Sequence, residues 1–226
     1  MFALQYDVAN DFQPVALLTT APFLFLAKKA LPHLEGLIAW LKANPDKASL
    51  GTGGTTGLDP VAGVLFQKET GTRFGFVPYR GGAPALQDLM AGQIDLAILD
   101  PPTFLPALRA GLVKAYAVMA KDRLAAARDI PTVDEAGLPG FYASFWYGLW
   151  APAHTPRNII AQLSAAVVNA LADAGVRARL ADMGEEIIPR DQQTPEALRA
   201  LQKAEIEKWW PIIKAAGITT PPGTPP

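Results

Sequence analysis

The 226-residue chain contains no cysteine, three serines (Ser49, Ser144, Ser164) and two histidines (His33, His154). The first absence excludes disulfide scaffolds, cysteine-ligated zinc and thiol nucleophiles. None of the serines stands in a G-x-S-x-G elbow, and neither histidine has a metal-ligating neighbour at i+4. Serine-hydrolase and H-E-x-x-H zinc chemistry therefore lack their parts. Each histidine lies beside a proline-marked helix start, where a solvated cap or loop residue is the ordinary reading. With neither a base nor a nucleophile in a recognisable setting, the sequence reads as a protein that is not an enzyme, with no cofactor and no metal.

Charge of one sign is also scarce: 20 basic and 21 acidic residues give a net charge of −1, without a long run of either. This excludes the footprint of nucleic-acid binding and a polybasic membrane patch. No apolar run reaches the ~20 residues of a bilayer span, so direct membrane insertion is not expected. The start, Met1-Phe-Ala-Leu-Gln-Tyr-Asp7, lacks the basic residues and apolar continuation of a signal peptide, and a chain that begins so is expected to stay cytoplasmic. Apolar residues, by contrast, are abundant at 50%, enough to bury one domain or two small ones.

Apolar runs alternate with helical periodicity. Val15-Ala-Leu-Leu-Thr19 and Phe23-Leu-Phe-Leu-Ala27, divided by Ala21-Pro22, suit two buried strands or one strand that changes sheets. A helix through Leu34, Leu37, Ile38 and Leu41 stops at Asn44-Pro45. Strands at Ala48–Leu50, Phe74–Tyr79, Ile94–Leu99 and Val113–Met119 alternate with helices after Pro60, over Ala83–Ala91 and near Leu105–Ala110. This pattern predicts a parallel α/β sheet covered on both faces, whose functional loops lie at the carboxyl ends of its strands. Thr132-Val-Asp-Glu135 reads as a capping box opening a short helix that ends at Gly137. Phe141 to Trp150 is an aromatic β segment. Two helices close the chain, with N-caps at Thr155 and Thr194, each followed by proline. The first should turn Ile159, Ile160, Leu163, Val167 and Leu171 inward, the second Leu198, Leu201, Ile206, Trp209 and Ile213. Trp209 and Trp210 read as packing residues, and the tail beyond Gly217 as disordered.

The stretch Leu50-Gly-Thr-Gly-Gly-Thr-Thr-Gly-Leu-Asp-Pro60 spells strand, tight turn, helix, an arrangement that aims backbone N–H groups and a helix dipole at one spot and so favours an anion. No Gly-Lys-Ser/Thr follows, and Thr56 stands where a dinucleotide fingerprint needs glycine, so neither nucleotide template is met. A purely structural turn accounts for the glycines. Hydroxyls at Thr52, Thr55 and Thr56 exceed the one cap such a turn requires, which favours binding. The Tyr79-Arg-Gly-Gly82 turn offers amides without side-chain obstruction at Gly81 and Gly82; Arg80 could pair with a carboxylate, but a solvated side chain is the commoner fate of such an arginine. Asp100 is either the cap of the following helix or an acid that selects a ligand bringing an ammonium, hydroxyl or water. Trp146 and Tyr147 line a crevice or belong to aromatic core.

Six stretches, taken together, carry a family resemblance: Tyr6 to Leu18, the Gly51–Gly57 loop, Val77-Pro-Tyr-Arg-Gly-Gly-Ala-Pro-Ala-Leu86 with Gly92-Gln-Ile-Asp-Leu96, Asp129 to Gly140, Trp146 to Pro152, and Lys208-Trp209 to Ala216-Gly-Ile218. In this order they resemble the Bug (TctC-like) solute-binding proteins of tripartite tricarboxylate transporters. The resemblance implies an α/β type II periplasmic-binding-protein fold of two lobes that closes on a small organic carboxylate without chemistry. It also implies a periplasmic location, a monomer, and membrane transporter subunits as partners. Carried over, residues 1–21 are a remnant of lobe 1, 22–140 are lobe 2, 141–218 are the C-terminal part of lobe 1 and 219–226 are tail. The site maps to Gly53, Gly54, Thr55, Thr56, Gly57, Tyr79, Gly81, Gly82, Asp100 and Trp146.

Two departures stand out. The strands and Gly-rich loop with which the family opens would precede Tyr6, so the first lobe is expected to be incomplete and the Phe141–Trp150 segment to have no sheet to join, leaving an exposed edge. The family's Ser or Thr followed by His after its Gly loop is here Thr56-Gly57-Leu58. Two other readings remain open at this level: a non-functional remnant of such a protein, and an enzyme acting on an anionic substrate.

Overall fold

A computed structural model describes residues 6–27, 33–55 and 57–217. The chain divides into two compact units, Met1–Ala21 with Trp146–Pro226, and Pro22–Phe145. The second unit takes in residues 141–145, which the sequence assigned to the other lobe. The aromatic rings explain this, because Phe141 meets Phe66 edge-on at 6.0 Å and Phe145 sits 4.5 Å from Phe23.

In the first unit, strands β1 (Phe12–Pro22), β7 (Ser144–Pro152) and β8 (Glu186–Ile187) form a sheet in the order β7-β1-β8. The aromatic segment expected to lack a partner is β7, and it is hydrogen-bonded alongside β1. Register on the other side of β1 is fixed by the antiparallel pairs Thr19 with Ile187 and Thr20 with Glu186. A small core of Val15, Ala16, Ala151 and Ile160 lies between this sheet and α5 (Arg157–Ala172).

Helix α7 (Pro195–Ala215) begins as predicted, with the Thr194 hydroxyl accepting the Ala197 amide at 3.1 Å. Helix α5 does not. Its N-cap is Pro156, and the Thr155 hydroxyl donates backward to the Pro152 carbonyl at 2.8 Å, so the turn is used before the helix starts. A further helix, α6 (Ala174–Asp182), buries no residue and so carried no apolar stripe to predict it. The inward stripes are also narrower than expected: Ile159, Leu163, Ile206 and Trp210 are exposed while Ile160, Leu171, Leu198 and Trp209 are buried. Three strands offer too little apolar surface to cover the full stripe of both helices.

The second unit is built on a five-stranded sheet of order β4-β3-β5-β2-β6, from β2 (Leu24–Ala27), β3 (Ser49–Thr52), β4 (Gly75–Pro78), β5 (Leu96–Leu99) and β6 (Lys114–Val118). The expected all-parallel sheet is corrected here. Strands β3, β4 and β5 are parallel, but β2 runs antiparallel to both β5 and β6. Apolar runs carry no direction, and β2 enters the sheet straight from β1 without the crossover helix that a parallel neighbour needs.

Helices α1 (Leu34–Ala43), α2 (Leu58–Thr70), α3 (Gly82–Ala91) and α4 (Pro101–Arg109) connect the strands. Alternation along β2 sends Leu24 and Leu26 into a cluster with Leu89 of α3 and Phe104 of α4, and sends Phe25 to the other face, 4.3 Å from Phe66 of α2. Both phenylalanines are fully buried, each worth roughly 1.5–3 kcal/mol of transfer free energy. The Thr132–Glu135 capping box forms, with the Glu135 amide on the Thr132 hydroxyl (3.2 Å) and the Thr132 amide on the Glu135 carboxylate (2.8 Å). It closes a single turn rather than a helix, because the Leu138 amide already turns back onto the Val133 carbonyl at 2.8 Å, after Gly137 at φ 86°.

Candidate functional site

Because β3, β4 and β5 are parallel, their carboxyl ends share one edge of the sheet, and β2, running the other way, presents its amino end there. That edge holds a cavity of about 360 Å³ walled by the loops leaving these strands, by Asp100 and by Phe23 and Phe145. Helices α2, α3 and α4 all start at it. Their N-cap residues, Gly57, Gly81 and Asp100, provide no side-chain cap to the helix. The first-turn amides of Leu58, Gly82 and Ala83 have no intrahelical acceptor, and each helix end adds the equivalent of about half a positive charge. Helix α4 contributes its dipole more than its amides, since Pro101 and Pro102 occupy its first positions.

Local backbone geometry fixes the loops. The Tyr79 amide donates to the Thr52 carbonyl (2.8 Å) and the Gly81 amide to the Gly53 carbonyl (3.2 Å), tying the β4–α3 turn to the β3–α2 loop. Gly81 has φ 102° and ψ 174°, a conformation essentially reserved for glycine. The Thr52 hydroxyl, one of the three that favoured binding, donates to the Gly54 carbonyl at 2.7 Å and shapes the loop from within.

Of the residues singled out in the sequence, Gly53, Gly57, Gly81, Gly82 and Asp100 come together in the cavity wall. Gly54 and Thr55 stand outside it, Thr55 with an exposed side chain, and Thr56 lies outside the described residues. The Tyr79 hydroxyl is committed to Asp88 at 2.7 Å; burial, then this acceptor, push it up to about 12. Trp146 belongs to the other unit, with its ring 5.8 Å from that of Trp150. Arg80 is exposed, and His33 and His154 are exposed at a helix start and a turn.

Asp59 is the charged wall residue that sequence reasoning missed, beside Phe23, Leu58, Thr103 and Phe145. It reads in the sequence as an ordinary acid in the first turn of α2, complementing the dipole. In the structure it is 8% exposed, and its carboxylate accepts the Gly53 amide at 2.5 Å. A β-carbon on Gly57 would stand 2.6 Å from its Oδ1, so only glycine leaves room for this seat. Burial raises the acid to about 6, opposed by the Gly53 amide and its own amide and reinforced by the charge of Asp100. Asp100 accepts the Thr103 hydroxyl at 2.5 Å. No lysine, arginine or histidine lines the cavity, and no acid or histidine cluster suited to a metal occurs among the described residues.

A mixed α/β unit that gathers helix N-termini at the carboxyl edge of an open sheet is the architecture of the type II periplasmic binding proteins, whose solved members superpose on it. Residues 1–218 match the profile of the tripartite tricarboxylate transporter family receptor, and the chain belongs to that family. A protein from the TAR-I ttuE-ttuC′ intergenic region of Agrobacterium vitis is 39% identical over 216 residues, covering 95% of this chain and 62% of the relative. The chain thus spans less than two thirds of the length of that relative. MatC from Rhodopseudomonas palustris, solved with bound malate, is 37% identical with a TM-score of 0.85, over 94% of this chain and 73% of its own. The periplasmic binding protein BugD is 32% identical with a TM-score of 0.84, over 94% and 72%. No single helix among the described residues is long and apolar enough to cross a membrane.

Proposed function

We propose that the chain is the ligand-binding part of a periplasmic receptor that captures a small organic carboxylate, performs no chemistry on it, and delivers it as a monomer to the membrane subunits of a tripartite tricarboxylate transporter. The observation that carries this reading is the set of helix N-termini around a cavity that, among the described residues, no basic side chain lines. Such a cavity attracts an anion through fixed amides and dipoles and lets it leave again, as a delivery protein requires. The ligand carboxylate sits against the amides of Leu58, Gly82 and Ala83, with Gly53, Gly57 and Gly81 shaping the loops and Asp100 facing the ligand's hydrogen-bond donors. Malate in a 37%-identical neighbour supports the chemical class.

The test is calorimetry and thermal shift on the full chain with malate, succinate, citrate and aromatic acids. A ligand at 100 times its Kd stabilises the folded protein by about 2.7 kcal/mol. For a chain of this size that raises the melting temperature by roughly 5–10 °C. No shift with any carboxylate overturns the reading.

A further inference from the structure

Resting on that reading, we propose that the cavity takes its anionic ligand together with one proton, which Asp59 holds. Two carboxyl groups, Asp59 and Asp100, share a cavity of about 360 Å³ that no basic side chain lines among the described residues. An entering carboxylate adds a third negative charge to this partly open cavity. Like charges repel more strongly against protein than in bulk water, and protonating one of the three relieves that repulsion.

Asp59 is the group placed to take the proton. It is the more buried of the two acids, and burial already favours its neutral form and raises it to about 6. Asp100 is half-buried and keeps the Thr103 hydroxyl as a donor. The pull opposing protonation of Asp59 comes from the Gly53 amide and its own amide, and the charged groups around it among the described residues are few. Strands β3 and β5, against which α2 packs, contain no titratable residue along Ser49–Thr52 and Leu96–Leu99. From α4 comes Asp100 itself, with Arg109 at the far end of that helix. From the α3 side come Arg80, which is exposed, and half-buried Asp88, engaged by the Tyr79 hydroxyl. On α2 the remaining charges, Lys68 and Glu69, lie in its last turn.

Protonation also changes what Asp59 can do. The carboxylate only accepts; the carboxylic acid donates through its O–H while its other oxygen still accepts the Gly53 amide. The proton comes from solvent, stays on Asp59 while ligand is bound and returns to solvent on release. By linkage, if ligand raises the affinity of Asp59 for a proton, a proton raises the affinity for ligand by the same factor.

Malate binding to the full chain, measured calorimetrically at pH 7 in buffers of differing ionisation enthalpy, reads the proton directly. A tenfold coupling predicts an uptake of about 0.4 proton per malate at pH 7 and an affinity about tenfold higher at pH 5 than at pH 8. Asp59→Asn should abolish the uptake and bind nearly as tightly at pH 8 as the parent does at pH 5, any titration of malate itself being the residue that persists in the variant. If that variant fails to fold, the ¹³C chemical shift of the Asp59 carboxyl in the parent, followed from pH 4 to 9 with and without malate, must show an upward move of its midpoint. Malate bound without proton uptake, or uptake undiminished in Asp59→Asn, overturns the proposal while leaving the receptor reading intact. Failure of malate, succinate, citrate and the aromatic acids alike to bind overturns both.

Discussion

Replacing Asp59 by asparagine in the ligand-free protein isolates the cost of keeping a carboxyl in the cavity wall. Asp59 binds its proton more tightly folded than unfolded, moving from an ordinary 3.8 to about 6. At about 1.36 kcal/mol per pKa unit this amounts to roughly 3 kcal/mol. The sign follows from proton counting. Between the two values the folded state carries more protons, so stability falls as pH rises. The contribution is fully present below about 4 and is gone above the folded value. Asparagine keeps an acceptor for the Gly53 amide and does not titrate. The stability of Asp59→Asn minus that of the parent should therefore climb by up to about 3 kcal/mol between pH 4 and 7 and then level off. Asp7, Asp134 and Glu135, held low by hydrogen bonds from Asn10, Tyr142 and Arg123, act in the opposite direction. They are common to both proteins and cancel in the difference. Urea unfolding at half-unit pH steps supplies the curve, with a constant m-value as the check that the same transition is compared. A difference that is flat, or that falls with pH, would refute the burial argument.

Phe66→Ala removes the ring that touches Phe25, Phe74 and Phe141, and should cost about 3–5 kcal/mol in urea melts. Thr194→Ala should cost about 1 kcal/mol through loss of the α7 cap, whereas Thr155→Ala, whose hydroxyl caps no helix, should change the melting temperature less. Gly81→Ala forces a β-carbon into a glycine-only conformation at a cost of about 1–3 kcal/mol, and should weaken malate binding at least tenfold because the α3 amides move with the turn. Melting temperature and calorimetric Kd, measured side by side, separate the two effects.

Strand and helix positions in the second unit were legible because each obeys a local rule. The Gly/Thr turn, the Tyr79-Arg-Gly-Gly82 turn and Asp100 all follow apolar runs, and parallel strands bring such ends to one edge. What was not legible depends on partners distant in the chain. The direction of β2 is set by β5 and β6, which no property of Leu24–Ala27 reveals. The cap of α5 failed because the Thr155 hydroxyl had a second acceptor, Pro152, that spacing does not disclose. Asp59 carries no sequence signal of its own; its place in the wall comes from burial against a loop six residues earlier, where chain reversal brings the Gly53 amide to it. Tyr79 was placed at the correct strand end, yet its hydroxyl is engaged by Asp88 on α3.

The antiparallel strand β2, between β5 and β6 in the five-stranded sheet, governs the order in which that unit can assemble. Leu24 is made well before its strand partners Leu99 and Val118. During synthesis β2 must therefore wait, unpaired and fully apolar, until most of the unit has left the ribosome, while β3 and β4 can already meet across one helix. Long loop closure slows such folding and prolongs exposure of Leu24-Phe-Leu-Ala27 to wrong partners. The strand that unites the sheet is thus also the segment most in need of protection by a chaperone before the sheet exists.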